Sequence, residues 1–306
     1  MSKMKIALLL GIVVLPVVYF FDDIKQAVQP SEELSYQKVK GDNKKKKDKN
    51  NNKEPESADV TIVNQWDLPA VLLEISGLSS IDDNRFACVQ DEQGTIFIYN
   101  TGTKNIEKEI SFAGVGDYEG IAVVGETVYV ATADGKIFEV TNYNSGKPDV
   151  KKYNTHLTVK NNVEGLTYDN KNNRLLVAIK DQETNGADYK GIYSFDLSTK
   201  KMDKEPVYKI DLSDPLLVGA KKKKSGNTIQ PSEILINPVT NEILVLDGPG
   251  GRLVVLDPSG KITKLHQLGK AFSQPEGMTF TPGGKFYISN EGKKDPGNIL
   301  EVELNN

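Results

Sequence analysis

One cysteine and two histidines stand in a chain of 306 residues, and that scarcity removes several chemistries at once. Cys88 alone cannot form an intrachain disulfide or a multi-cysteine metal site. It sits in the apolar run Phe86-Ala-Cys-Val89 and is expected in a core. No Gly-x-Ser-x-Gly elbow accompanies His156 or His266, which argues against a Ser-His-Asp hydrolase, and zinc catalysis usually draws on more His or Cys than this. Both histidines are expected on outer strands or loops. A basic excess is also missing: residues 60–306 hold 27 Lys plus Arg against 33 Asp plus Glu, so nucleic acid is not an expected partner. The single tryptophan, Trp66, is expected to pack at a seam between the first and last parts of the folded domain.

What is present begins with an uncharged apolar run of sixteen residues, 6–21, behind Lys3 and Lys5. As a helix it reaches about 24 Å, short of a ~30 Å hydrocarbon core, but Lys5 and Lys25 can snorkel. It offers no small-residue cleavage site after Leu15 and no cysteine for a lipoprotein anchor. Residues 1–21 therefore read as a single-pass signal anchor with the main domain outside the cytoplasm, periplasmic or extracellular; cleavage would give a secreted protein instead. Residues 22–58 are polar, with Lys44 to Lys47 and Asn50 to Asn52, and read as a disordered linker. Their lysine run is expected to be solvated rather than a nucleic-acid or anionic-lipid patch.

From residue 59 onward a motif returns five times: Ile75-Ser-Gly-Leu78, Tyr118-Glu-Gly-Ile121, Val163-Glu-Gly-Leu166, Pro231-Ser-Glu-Ile234 and Pro275-Glu-Gly-Met278. Its second residue recurs at 76, 119, 164, 232 and 276, at intervals of 43, 45, 68 and 44. Radially repeated four-stranded sheets have this period, so residues 59–306 read as an all-β propeller. In the second repeat three strands are legible, Ile121 to Val124, Thr127 to Ala131 and Lys136 to Val140, separated by turn residues. The last repeat stops without an outer strand, and Val60 to Val63 can supply it, which would remove an exposed edge. Five blades are expected, or six if part of the long interval between Glu164 and Ser232 forms its own sheet. The stretch Leu212 to Thr228, with Lys221 to Lys224, is expected as an exposed insertion.

A second register carries acids at Asp91, Asp134, Asp181, Asp247 and Glu291, which follow the first positions by 15, 15, 17, 15 and 15 residues. Equal phase in every blade would place both registers as rings around the axis. Crowded carboxylates repel unless protonated or neutralised, and Ca2+, with its six to eight oxygen ligands, is the simplest neutraliser. Glu119, Glu164, Glu276 and Asp181 are the candidate metal ligands, and Asp91, Asp134, Asp247, Glu291, Ser76 and Ser232 the remaining funnel lining. Asp134-Gly135 and Asp247-Gly248 equally meet the needs of tight turns.

The ordered set Glu74-Ile-Ser-Gly-Leu78, Asp117-Tyr-Glu-Gly-Ile-Ala122, Val163-Glu-Gly-Leu-Thr-Tyr-Asp169, Gln230-Pro-Ser-Glu-Ile234 with Asn237-Pro238, and Gln274-Pro-Glu-Gly-Met278 resembles the SdiA-regulated family of bacterial propellers over residues 60–306. The resemblance implies a propeller that is exported or membrane-anchored. A more distant similarity to phytase-like and gluconolactonase-like propellers implies axial carboxylates that hold Ca2+, although Ser76 and Ser232 depart from a uniform ring.

Two functions follow as expectations. One is a binding or scaffold module at a membrane, whose calcium-binding funnel takes a small-molecule or protein ligand. The alternative is a calcium-dependent hydrolase of phosphate esters or lactones, with Lys136, Lys180 and Lys293 near an anionic substrate.

Overall fold

A computed structural model describes residues 59–183, 186–219 and 229–305. The apolar run at 6–21, the linker expected over 22–58 and the lysines at 221–224 lie outside the described residues. Among the described residues no helix is long and apolar enough to cross a membrane.

The described chain is a five-bladed propeller. Strand β1 (Val60–Asp67) comes first and waits for its partners at the other end of the chain. The first blade is β2 (Ile75–Ser80), β3 (Arg85–Gln90), β4 (Gln93–Asn100) and β5 (Asn105–Val115). The second is β6 (Tyr118–Val124), β7 (Thr127–Thr132), β8 (Lys136–Thr141) and β9 (Asp149–Asn154). In the third, β10 (Val163–Asp169), β11 (Arg174–Ile179) and β12 (Tyr189–Asp196) are followed by β13 (Lys201–Met202) and β14 (Tyr208–Asp211), both of which pair with β12. A short helix, α1 (Pro215–Gly219), leads to the fourth blade, β15 (Pro231–Ile236), β16 (Ile243–Asp247), β17 (Arg252–Leu256) and β18 (Ile262–Gln267). The fifth is β19 (Pro275–Phe280), β20 (Phe286–Asn290) and β21 (Asn298–Leu304), with β1 as its outer strand.

Closure follows the sequence expectation. Strand β1 runs antiparallel to β21 from Val60 opposite Leu304 to Asp67 opposite Asn298, so the outer edge left bare by the last repeat is paired by the first strand. No sixth sheet forms among the described residues. The long interval instead gives the third blade a split outer strand, because β13 and β14 cover different ends of β12. The expected exposed insertion is partly folded: α1 buries Leu217 completely in the core between blades three and four.

Middle strands sit between two sheets, which is why they read as unbroken apolar runs rather than alternating ones. Every residue of β16 and β17 is buried. Five apolar clusters fill the spaces between successive blades, among them Val130, Ile121 and Ile98 between the first two and Leu246, Met278 and Ile288 between the last two. Burial on this scale is the main stabilising term of the ring. Cys88 lies fully buried in the cluster that joins the fifth blade to the first. Trp66 packs at the same seam with its ring 6.0 Å from that of Tyr287, and His266 is buried on the outer strand β18 while His156 lies in the loop before β10, all as expected from sequence.

Candidate functional site

The five-fold motif marks a β-bulge at the start of every inner strand. In β2, β6, β10, β15 and β19 the ladder slips at the same place, between residues 75 and 77, 118 and 120, 163 and 165, 231 and 233, and 275 and 277. The skipped residue is the echoed one: Ser76, Glu119, Glu164, Ser232 or Glu276. A bulge leaves its extra residue unpaired and re-aims the side chain, and these five inner strands neighbour one another around a closed ring.

Glycine follows the bulged residue because the next blade comes too close for a side chain. A Cβ on Gly120 would lie 2.5 Å from the Cβ of Leu166, and one on Gly77 would lie 2.8 Å from the Glu119 carbonyl oxygen. Gly165 and Gly277 meet Ile234 and Leu78 in the same manner. The fourth repeat breaks the rule with Glu233, whose side chain turns back toward the third blade. Its Oε1 accepts backbone hydrogen bonds from Leu166 and Ile234, each 2.8 Å long. In the repeat Glu233 occupies the glycine position, and the axial acids expected from sequence do not include it.

The second register does not form a ring of five acids. The residue facing the start of each inner strand is Gln90, Thr132, Ile179, Asp247 or Asn290. One step further along therefore come Asp91, Ala133, Lys180, Gly248 and Glu291. Asp134 and Asp181 fall one residue late and Asp247 one early, a slip that counting along the chain cannot reveal.

A cavity of about 140 Å³ opens here, lined by Glu74, Ile75, Ser76, Asp91, Glu119, Glu164, Lys180, Gln274, Glu276 and Glu291. Of the residues singled out from sequence, the structure thus brings together Ser76, Asp91, Glu119, Glu164, Glu276 and Glu291. Four others lie off this lining. Asp134 accepts from the Thr132 hydroxyl and from the Lys136 ammonium in the turn after β7. Asp247 accepts from the backbone amides of Gln230 and Gly250 and pairs with Arg252 at 2.7 Å, both side chains almost fully buried. Ser232 donates to the Pro275 carbonyl. Asp181 lines a separate hollow with Val159, Lys160 and Gln182. Lys180 and Glu74 complete the funnel; Lys180 was visible as a basic residue near a ring position, whereas Glu74 carried no sequence signal beyond its place before the first echo.

Among the described residues, six carboxylate side chains share this cavity with a single ammonium. Lys180 Nζ lies 3.1 Å from Oε2 of Glu164, and Asn162 Nδ2 donates to Oε1 of the same carboxylate at 3.0 Å, so both oxygens of Glu164 are engaged. Burial pushes the Glu119 carboxyl well above its ordinary range, and the nearby Glu164 and Asp117 push it further. Glu276 rises to about 7, chiefly through burial, with Lys180 pulling the other way. Burial works against the charge on Lys180, but Glu164 and Glu276 outweigh it and hold the ammonium above its usual value. Asp91 is raised by burial and by Glu74, and its Oδ1 is shielded from solvent with no hydrogen-bond partner.

Hard oxygen donors suit a cation such as Ca2+ chemically. With Lys180 standing among them, however, no three His, Cys, Asp or Glu side chains are grouped to hold a metal ion among the described residues.

A family model described as SdiA-regulated matches residues 55–295. No curated protein gives a significant sequence match. Among solved structures, a glutaminyl cyclase from Myxococcus xanthus superposes with a TM-score of 0.57 at 16% identity, over 80% of this chain and 96% of that one. A streptogramin B lyase gives 0.45 at 13% identity over 80% and 98% of the two chains, and a luciferin-regenerating enzyme 0.46 at 12% over 79% and 94%. At such identities the first likeness shows the fold alone and the other two add nothing to it.

Proposed function

The chain belongs to the SdiA-regulated family, and from that premise we propose that it is an exported, membrane-tethered binding module whose central funnel takes a cationic ligand, Ca2+ being the simplest. One observation carries the reading: among the described residues Glu74, Asp91, Glu119, Glu164, Glu276 and Glu291 line one cavity against one lysine, and a buried oxygen of Asp91 has no partner there. Crowded carboxylates in a partly desolvated space must take up protons or gain positive charge, and an entering cation supplies the second. The tether rests on the uncharged run at 6–21 and its flanking lysines. In this reading the carboxylates of Glu119, Glu276, Asp91 and Glu291 attract and orient the cation.

The test is calorimetric titration of the chelator-treated full chain with Ca2+, with Mg2+ and methylammonium in parallel arms and thermal stability followed throughout. Saturable binding of a cation together with a raised melting temperature is expected. Absence of binding in all three arms refutes the reading and turns attention to partners that touch the outer surfaces of the blades.

A further inference from the structure

We infer that Lys180 is the funnel's built-in cation, an internal ammonium seated against Glu164 that an entering cation must displace. This deepens the cation reading above and rests on it for the identity of the competing ligand. Three independent features support the assignment. The first is position: Lys180 stands where the first and fifth blades place Asp91 and Glu291, one step past the residue that faces the inner strand, so the ring carries a basic member in the third blade. The second is engagement: its Nζ lies 3.1 Å from Glu164 Oε2, in a pair whose side chains are 20% and 6% exposed, which leaves Glu164 no free oxygen once Asn162 has donated to the other.

The third feature is the support beneath. The ammonium of Lys190, itself buried, donates to the carbonyl oxygens of both Lys180 and Asp181. The Lys180 amide donates to the Asn162 carbonyl oxygen at 2.8 Å. The backbone that presents the lysine is thus fixed from two sides, and the side chain enters the cavity from a rigid base. Held this way, it opposes any second cation that approaches Glu119, Glu164 or Glu276.

The experiment compares the full chain with Lys180→Gln and Lys180→Met by Ca2+ calorimetry, with Lys180→Arg as the charge-preserving control. The glutamine amide can still donate to Glu164, so this variant retains a partner for the buried carboxylate. Affinity at least about tenfold higher in the neutral variants, and not in Lys180→Arg, is expected, because a like charge at ion-pair distance opposes binding strongly in a partly buried site. Equal or weaker affinity in the folded neutral variants overturns the inference while leaving calcium binding by the parent intact. Silence toward Ca2+ in every protein overturns the inference and refutes calcium as the parent's ligand, while the Mg2+ and methylammonium arms above decide the wider cation reading. Binding by the neutral variants and none by the parent supports the inference and refutes calcium as the parent's ligand. If neither neutral variant folds, the Nζ resonance of Lys180 in the parent decides: a shift on adding Ca2+ or methylammonium supports displacement, and an unchanged resonance overturns it.

Discussion

The hydroxyl of Ser76 donates a 2.6 Å hydrogen bond to the carbonyl oxygen of Tyr118, the first residue of the next blade's inner strand. Ser232 repeats the contact on Pro275 at 2.9 Å. At two of the five bulges, then, the echoed side chain links neighbouring blades through a backbone carbonyl. Ser76→Ala removes a buried bond and leaves the acceptor short of a partner, so a loss of about 1 kcal/mol is expected. Urea unfolding of parent and variant measures it, and a midpoint unchanged at equal slope contradicts the assignment.

The glycine beside each bulge is a spacing device, and Gly120 tests it. Alanine there places its Cβ 2.5 Å from Leu166 Cβ and 2.8 Å from the Glu164 carbonyl oxygen, across the join between blades two and three. Neither neighbour is the free end of a flexible chain, so the blades must separate, and a loss of roughly 1–3 kcal/mol or more is expected. Gly114, which has nothing within 4 Å of a Cβ, supplies the control and should tolerate alanine. Thermal melts that fail to separate the two variants would remove close approach as the reason for the repeated glycine.

These two elements also show what the sequence could and could not reveal. Blade number and closure were legible because a bulge followed by a close approach demands Gly at the same phase in nearly every blade, and because β21 needed an outer partner that β1 could supply. The acid ring was not legible, since its phase depends on how many residues each hairpin places between the bulge and the facing strand. Asp91 and Glu291 arrive in the funnel, Asp134 and Asp181 overshoot it, and Lys180 takes the place an acid was expected to fill. Glu233 was hidden for the opposite reason: its neighbours identified the position as glycine, and only the hydrogen bonds from Leu166 and Ile234 explain how a carboxyl fits there.

Glu276 gives the funnel a measurable pH signature. Its folded-state pKa stands at about 7 against 4.5 for the free side chain. The folded protein therefore binds this proton more tightly than the unfolded chain does. The resulting stabilisation is fully present below pH ~4.5 and is lost as pH rises through ~7, with a total on the order of a few kcal/mol. Glu276→Gln should flatten that fall, so the stability difference between variant and parent should shift in favour of the variant between pH 5 and 8. Parallel denaturant curves at the two pH values test it, and a difference that does not change with pH rules out a raised Glu276.

Asp247 separates a structural acid from a funnel acid. Its carboxylate pairs with Arg252 at 2.7 Å, with the side chains 2% and 5% exposed, and also accepts the amides of Gln230 and Gly250. Arg252 in turn reaches the Leu217 carbonyl oxygen, tying α1 to the fourth blade. Asp247→Ala removes one partner of a buried ion pair together with the acceptor of two backbone amides, for which a cost of about 3–5 kcal/mol is usual. The double variant Asp247→Ala with Arg252→Met should recover part of that loss, because it removes both charges and fills some of the vacated volume. Cation affinity should be unchanged in whichever of these variants folds, since Asp247 lies off the cavity lining, whereas Glu119→Gln should weaken it. Calorimetry and unfolding on the same samples compare the two effects: lost cation binding in the folded double variant would return Asp247 to the funnel, and lost stability with binding preserved would fix it as the turn and ion-pair residue its contacts describe.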